Sequence, residues 1–166
     1  MFFVRRFAVL FVIWTAAAPT ARAAGQSSTA TLSANVSPVA NLTISSASVS
    51  FPDADPDTIP QIPALGGPLL ITAKARANPG AQVVLSVQAA DDLRSGVTLI
   101  PVTNITWTVT GAGFVPGTMS QTASATVASW TGSGVRSGSQ QLYFRNLWTH
   151  PTGTYTVSLL YTLSAP

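Results

Sequence analysis

The 166-residue sequence contains no cysteine, no glutamate and a single histidine, His150. Without cysteine the fold has neither disulfides nor thiolate metal ligands, so its stability must come from packing. His150 is thus the sole side chain of the type that most often acts as a base in enzymes, and no Gly-x-Ser-x-Gly motif marks a nucleophile. A solvated turn histidine is the simpler interpretation. We therefore predict a protein that is not an enzyme and needs no cofactor.

Charge is also scarce, since Asp, Lys and Arg together make up 8% of the sequence. Three of the eight basic residues are Arg5, Arg6 and Arg22, within the first 23 positions. The five remaining basic residues balance the five aspartates, so the chain after residue 23 has a formal net charge of zero. No basic stripe remains to follow a phosphate backbone, and nucleic acid is not a predicted partner.

The first 23 residues have the pattern of a secretory signal peptide. A basic start precedes the apolar run Phe7–Trp14, and Ala21-Arg-Ala23 offers small residues at a cleavage position. The apolar run is too short to span a bilayer comfortably, so we expect no stable membrane span in the mature chain. The sequence thus predicts a secreted protein of the cell surface or periplasm. The absence of disulfides in an exported chain favours a bacterial source.

Beyond the signal, apolar and polar residues alternate in short runs. The clearest is Tyr155–Leu163, with similar runs at Leu69–Ala77 and Ile105–Val109. Turn residues separate these runs every eight to twelve positions, and helical periodicity is missing. The pattern predicts an all-β fold, an Ig-like antiparallel β-sandwich of about eight strands over residues 32–166, after a flexible N-terminus at 24–31.

Finer features follow from turn chemistry. Leu32, Ala34 and Val36 predict a first strand, and a change of phase near Ser45–Ala47 predicts a break in the second. The further predictions are a hairpin around Asn78–Gly80, a turn at Asp91–Gly96, and Gly/Ser loops at Thr131–Gly134 and Ser137–Gly138.

The longest irregular segment is residues 52–68, which contains five prolines. Prolines remove the backbone donors that a strand needs. Connections of this length are usually functional or disordered, which makes this loop a candidate site.

Three tryptophans follow the signal. Trp107 alternates with aliphatic residues and is predicted to lie in the core. Trp130 and Trp148 border loops, so they are candidate platforms for stacking sugars.

The long loop contributes Asp53, Asp55 and Asp57, whose Asp-x-Asp-x-Asp spacing is similar to the start of a calcium loop. Thr58 stands where the EF-hand version needs glycine, and Pro56 stiffens the segment. Calcium ligands and solubilising carboxylates are both open interpretations. Asp91 and Asp92 form a second acidic pair, but neighbours on a strand point to opposite faces, so a glycosidase pair is disfavoured.

The end of the chain, Gly153-Thr-Tyr-Thr-Val-Ser-Leu-Leu-Tyr-Thr-Leu-Ser-Ala-Pro166, resembles the end of WxL-type bacterial cell-surface domains. Val83–Val87 is similar to their earlier Trp-x-Leu strand, although Val83 and Tyr161 stand at the tryptophan positions. This resemblance implies cell-wall binding. The last strand is also similar to that of pilin-like and spore-coat-U-like secreted subunits. That second resemblance implies that Leu32, Ala34 and Val36 form a donor strand for a neighbouring subunit.

These observations predict a non-enzymatic, exported structural or adhesive β-sandwich of the bacterial surface. Its partners would be a cell-wall or surface glycan, other surface proteins, or copies of itself. Two alternatives stay open at this point. One is a carbohydrate- or cell-wall-binding module that uses Trp130, Trp148 and the Asp53–Asp57 loop. The other is a subunit of a strand-exchange surface filament.

Overall fold

A computed structural model describes residues 28–166 of the chain. The predicted signal peptide, residues 1–23, and residues 24–27 of the predicted flexible N-terminus lie outside the described residues. The chain divides into two units, Met1–Ala34 and Asn35–Pro166. In the first unit, residues 28–34 have no regular secondary structure and are exposed. The second unit contains every described strand, and no helix in the described range is long and apolar enough to cross a membrane.

Residues 28–166 form eleven strands and one 3-10 turn, Val102–Asn104. The strands are β1 (Val39–Ile44), β2 (Gln61–Pro63), β3 (Leu69–Arg76), β4 (Gln82–Ala89), β5 (Leu93–Ser95), β6 (Thr98–Ile100), β7 (Ile105–Thr110), β8 (Gly117–Thr118), β9 (Ala125–Thr131), β10 (Gly134–Arg145) and β11 (Leu159–Ser164).

The strands form two main sheets and a small hairpin. The larger sheet has the order β1-β3-β10-β7-β8, and β2 pairs with the distal end of β10. The smaller sheet has the order β11-β4-β9, and β5 pairs with β6. Every strand pair in the described chain is antiparallel. The predicted all-β, antiparallel class is therefore confirmed.

A single hydrophobic core lies between the two main sheets. The larger sheet contributes Trp107 and Leu142, and the smaller sheet contributes Val83, Leu85 and Val127. In β3 and β4 every second residue is buried, because successive side chains of a strand point to opposite faces. The result is a sandwich-like arrangement in which each sheet covers the apolar face of the other.

The alternating pattern predicted β3 and β7 well. In β3, Leu69, Ile71, Ala73 and Ala75 are buried while Lys74 and the other intervening side chains are more exposed. Trp107 of β7 lies in the core as predicted, and its Nε1 donates to the backbone oxygen of Val115 at 3.0 Å. This hydrogen bond removes the cost of burying the indole N–H.

The predicted hairpin around Asn78–Gly80 is wrong. A turn does form there, and Gly80 has a φ of 78°, but β3 and β4 belong to different sheets. Each strand buries one face in the common core from opposite sides, so both show the same alternation. Turn residues and periodicity do not distinguish a return along one sheet from a crossing to the other.

The predicted Gly/Ser loop at Ser137–Gly138 is also wrong, because both residues lie inside β10. A Cβ atom on Gly138 would collide with the backbone oxygen of Thr110 and lie 2.7 Å from the Phe114 ring. Glycine therefore allows close approach of the neighbouring chain rather than a turn. The true connection between β9 and β10 is limited to Gly132 and Ser133.

Several boundaries shift. Leu32–Val36 is not a strand, and the first strand begins after Pro38. The break predicted near Ser45 is instead the end of a strand, since β1 ends at Ile44 and the next strand begins at Gln61. The final strand begins at Leu159 rather than Tyr155, although Thr156 forms an isolated bridge with Arg94.

Two predicted irregular segments also contain strands. The long loop 52–68 includes β2. The predicted turn at Asp91–Gly96 includes β5, which pairs back onto β6.

Candidate functional site

One lateral side of the sandwich is closed by backbone hydrogen bonds. The segment between β7 and β8 reaches across to β9 of the other sheet. Val115 N–H donates to the Val127 oxygen at 2.9 Å, and Ser129 N–H donates to the Gly113 oxygen at 2.9 Å. A bridge between Phe114 and Ala128 adds to this seam. The main chain thus connects the two sheets along this side.

On the opposite lateral side β1 and β11 come close to each other, but backbone hydrogen bonds do not close the sandwich there in the described range. There β1 is the last strand of the larger sheet and β11 the last strand of the smaller one, and within residues 28–166 each pairs with a strand on one side only. No backbone hydrogen bond in this described range joins β1 to β11. Both edges therefore have N–H and C=O groups available for another strand.

Between these two edges lies a groove of about 680 Å³, which we call the lateral groove. Its apolar lining includes Leu42 and Ile44 of β1, Val49, Leu69, and Val157, Leu159 and Tyr161 in and before β11. Most of these side chains pack against the core yet are only half-buried. In a closed sandwich the corresponding inward positions would be covered, so the groove exposes apolar surface that a further strand could bury.

Tyr161 links this groove to the interior. Its hydroxyl donates to Oε1 of Gln140 at 2.7 Å, and Gln140 is fully buried on β10. Burial raises the pKa of Tyr161 to about 12, because the phenolate would lose its hydration. Within the described chain the Gln140 Nε2 group has no hydrogen-bond partner.

The segment before β1 retains the alternation noted in the sequence. Leu32 is 97% exposed and Val36 is 63% exposed, and Ala34 between them is also exposed. Residues 28–38 have no regular secondary structure. This segment therefore has a strand-like sequence but is not part of either sheet.

A second candidate site lies in the two loops that flank the end of β10, residues 52–60 and 146–153. Trp148 is 70% exposed, and its Nε1 donates to Oδ1 of Asp57 at 3.0 Å. The structure thus brings together two of the sequence-predicted ligand-binding residues that are 91 positions apart. We call the exposed Trp148 indole and the two loops that hold it the loop platform.

Asn146 fixes the loop platform. Its Nδ2 donates to the backbone oxygens of Ala54 at 2.8 Å and Ile59 at 3.3 Å, and its N–H donates to the oxygen of Pro60 at 2.9 Å. A single asparagine therefore holds both ends of the aspartate-containing turn against the 146–153 loop. The predicted long loop is an ordered structure with its own hydrogen bonds.

The three aspartates of this loop serve different partners. Asp53 accepts a hydrogen bond from the Ala54 N–H, Asp55 accepts one from the Asp57 N–H, and Asp57 accepts from Trp148. Across residues 28–166, no group of three His, Cys, Asp or Glu side chains could hold a metal ion. Of the three, Asp55 caps the turn, because its carboxylate accepts the N–H two residues further on.

Trp130 occupies a different place from the one its position near a loop predicted. It is 7% exposed and belongs to the core, so it does not present a stacking surface. The Arg136 guanidinium lies 5.8 Å from the centroid of its ring, within range of a cation–π interaction. Of the two predicted stacking residues, Trp130 and Trp148, only Trp148 is exposed at the surface.

His150, Asp91 and Asp92 make hydrogen bonds within the structure. His150 contacts the backbone oxygen of Arg145 through Nε2 at 3.0 Å, and its ring lies 5.4 Å from that of Phe144. The Arg94 guanidinium donates a hydrogen bond to the Asp91 carboxylate at 2.7 Å, and this contact lowers the pKa of Asp91. A hydrogen bond from the Asp92 backbone N–H lowers the same pKa further. Asp92 accepts the Val102 N–H at 2.8 Å.

Sequence reasoning missed the lateral groove and the roles of Asn146 and Gln140. The groove depends on which strands end each sheet, which no local pattern encodes. Asn146 follows a strand directly, a common position for an amide that caps a loop, but its partners are distant in the sequence.

No protein-family model matches this chain, and no curated protein matches it either.

Proposed function

We propose that this protein is an exported, non-enzymatic structural subunit that assembles with copies of itself on the bacterial surface by strand exchange. The observation that carries the proposal is the lateral groove, open between β1 and β11 and lined by half-buried apolar side chains. An added strand would bury this surface and hydrogen-bond the free strand edges, the mode known as β-strand addition. We take the sandwich to be Ig-like, with seven described strands of six or more residues in two sheets.

The proposed occupant of the groove is the segment 29–37 of a second copy. Leu32, Ala34 and Val36 alternate with polar residues, so one face of an extended segment is apolar and suits a groove between two layers. The same side chains are exposed where the segment is unpaired. Burying them in the groove gives a hydrophobic gain of about 1 kcal/mol or more for each aliphatic side chain.

Pro38 favours insertion of this segment into the groove of a second copy rather than into the groove of its own chain. Residues 29–37 directly precede β1, which is one edge of the groove, so insertion in the same chain requires a tight hairpin at Ser37 and Pro38. Two-residue hairpin loops need positive φ at one or both central positions, and proline has φ fixed near −65°. Across residues 28–166 no residue other than glycine has positive φ.

Export and location belong to the same proposal. The pattern of residues 1–23 favours a cleaved signal, and its removal would leave residues 24–38 as a new N-terminal arm. The similarity of the last strand to pilin-like subunits and to WxL-type domains agrees with a surface role. The hydrogen-bonded states of His150, Asp91 and Asp92 favour a structural use of the few catalytic-type side chains.

The test is the mass of the protein across a concentration series, by native mass spectrometry and light scattering. We expect a series of oligomers that a synthetic peptide spanning residues 28–38 converts to monomers. In the control peptide Leu32, Ala34 and Val36 each swap places with the polar residue that follows. This peptide has the same composition, but its apolar residues lie on the opposite face of the strand, so it should have no effect.

A matched pair of variants gives the control within the protein. Leu32 and Val97 are both 97% exposed, but Val97 lies between β5 and β6 and outside the lateral groove. We expect Leu32→Asp to abolish the oligomers and Val97→Asp to leave them intact. A protein that is monomeric at every concentration, or oligomers that survive Leu32→Asp, would exclude the proposal.

A further inference from the structure

We propose that the loop platform is a carbohydrate-binding site, in which the exposed indole of Trp148 stacks on the apolar face of a neutral β-linked pyranoside. Asp57 is the positioning residue, because its carboxylate holds the indole N–H at 3.0 Å. The site shares none of its residues with the lateral groove. The proposal therefore stands or falls independently of strand exchange.

The first argument is that Trp148 is exposed and yet fixed. A tryptophan with 70% of its surface accessible buries too little area for packing to explain its place on the surface. Its polar edge is held by Asp57, and the turn that contains Asp57 is held by Asn146. An aromatic ring that is already oriented loses little conformational entropy when a ligand stacks on it.

The second argument is the support beneath the loops. Phe51, Phe144 and His150 form a chain of tilted aromatic contacts, with centroid distances of 5.9 Å and 5.4 Å. His150 is fixed further by the Arg145 oxygen, and its N–H donates to the Leu147 oxygen at 3.0 Å. The 146–153 loop thus packs through His150 against Phe144 of β10, which supports the platform from the sheet.

The third argument concerns the class of ligand. A pyranose ring with equatorial substituents has an apolar C–H face and a rim of hydroxyl groups. An exposed indole beside hydrogen-bond acceptors complements both parts, since binding sites combine apolar contact with a few placed polar groups. Asp57 uses Oδ1 for Trp148, which leaves Oδ2 to accept a hydroxyl hydrogen.

The negative charge of the 52–60 loop restricts the class of sugar that can bind. Asp53, Asp55 and Asp57 place three carboxylates within five residues. Such a cluster repels anionic polymers. We therefore expect uncharged sugars, including N-acetylated ones, and exclude polyuronates and phosphate-containing polymers as ligands.

The test uses the full chain labelled with 5-fluorotryptophan and followed by fluorine NMR. The probes are N-acetylchitotetraose and cellotetraose, with oligogalacturonate as the anionic comparison. We expect a neutral probe to shift the Trp148 resonance and to leave those of Trp107 and Trp130 in place, because both are buried. The resonance of Trp148 is assigned by its loss in Trp148→Phe.

Variants separate stacking from orientation. We expect Trp148→Ala to weaken binding by at least about tenfold, which corresponds to loss of about 1.4 kcal/mol. Asp57→Asn keeps an acceptor oxygen for the indole N–H but replaces the second carboxylate oxygen with an amide donor, so it should weaken binding less than Asp57→Ala, which also releases the ring. Leu160→Ala is the matched control, since Leu160 is a similarly exposed apolar residue on β11.

Four results would overturn the site. The first is a Trp148 resonance that does not move with either neutral probe up to about 10 mM, a concentration at which a Kd of about 1 mM would give near saturation. The second is unaltered affinity in Trp148→Ala, and the third is an equal loss of affinity in Leu160→Ala. A change in oligomer mass in Trp148→Ala without sugar binding would instead assign the platform to contacts between subunits, and would also overturn it.

Discussion

Tyr161 of β11 donates a hydrogen bond to Gln140 of β10, with 2.7 Å between the hydroxyl oxygen and Oε1. The contact connects the edge strand of the smaller sheet to the central part of the larger one. Gln140 is fully buried, and its Nε2 has no partner among the described residues. The core therefore contains a polar pair that is only partly satisfied, beside the open lateral groove.

We predict that Tyr161→Phe lowers the free energy of unfolding by about 1–3 kcal/mol. The variant keeps the ring and removes the one hydrogen bond that Gln140 makes with its side chain. The buried amide would then have no partner at either end. Urea denaturation followed by tryptophan fluorescence measures the change.

The double variant is the control for this reasoning. In Gln140→Met with Tyr161→Phe, both polar groups are replaced by apolar groups of similar shape, which is often neutral. We expect the double variant to be more stable than Tyr161→Phe alone. If the double variant loses the sum of both single losses, the hydrogen bond is not the source of the effect.

The raised pKa of Tyr161 gives a prediction at alkaline pH. Folding raises the pKa from 10.0 to about 12 because of burial, so the unfolded chain releases this proton first as the pH rises. The contribution to stability is complete below pH 10 and is lost between about pH 10 and pH 12, with a total of roughly 2–3 kcal/mol.

Denaturation midpoints at about pH 9 and about pH 11.5 test this, with Tyr161→Phe as the reference. The wild-type protein should lose more stability over this interval than the variant, since Tyr143 and Tyr155 are common to both. Equal losses in the two proteins would show that Tyr161 titrates alike in the folded and unfolded states.

The alternation of side chains made much of the fold predictable. The runs Leu69–Ala77 and Ile105–Val109 predicted strands that the structure has at Leu69–Arg76 and Ile105–Thr110, because the backbone imposes period-two burial locally. The placing of Trp107 in the core followed from the same rule. What periodicity cannot supply is the partner of each strand, so the crossing from β3 to β4 was predicted as a hairpin.

The candidate sites were predictable only in part. Trp148 and Asp57 stood out as residue types near loops, but their pairing joins segments 91 positions apart. Trp130 and Trp148 have similar sequence surroundings, yet one is buried and one exposed. Their difference depends on tertiary packing, which a strand boundary does not reveal.

Gly138 offers a test of why glycine interrupts the pattern of β10. A side chain there would collide with the Thr110 backbone and the Phe114 ring, so we predict that Gly138→Ala costs about 2–4 kcal/mol. Gly134→Ala is the matched control in the same strand, since its nearest neighbour would be 3.6 Å from the new Cβ. It should change stability by less than about 1 kcal/mol. Thermal denaturation of both variants decides between steric closeness and a general intolerance of β10 to substitution.

Asn146 holds the loop platform together, and its removal should affect that region before the sheets. Asn146→Ala loses the side-chain hydrogen bonds to Ala54 and Ile59 and leaves two backbone oxygens without this donor. We predict a loss of about 1–3 kcal/mol in unfolding free energy and faster hydrogen exchange of amides in residues 54–60. Asn104→Ala is the control, because the Asn104 side chain bonds only the oxygen of Pro101 within its own turn. If hydrogen exchange in residues 54–60 is the same in Asn146→Ala and Asn104→Ala, the loop is rigid for another reason, and the orienting role that we assign to Asn146 is wrong.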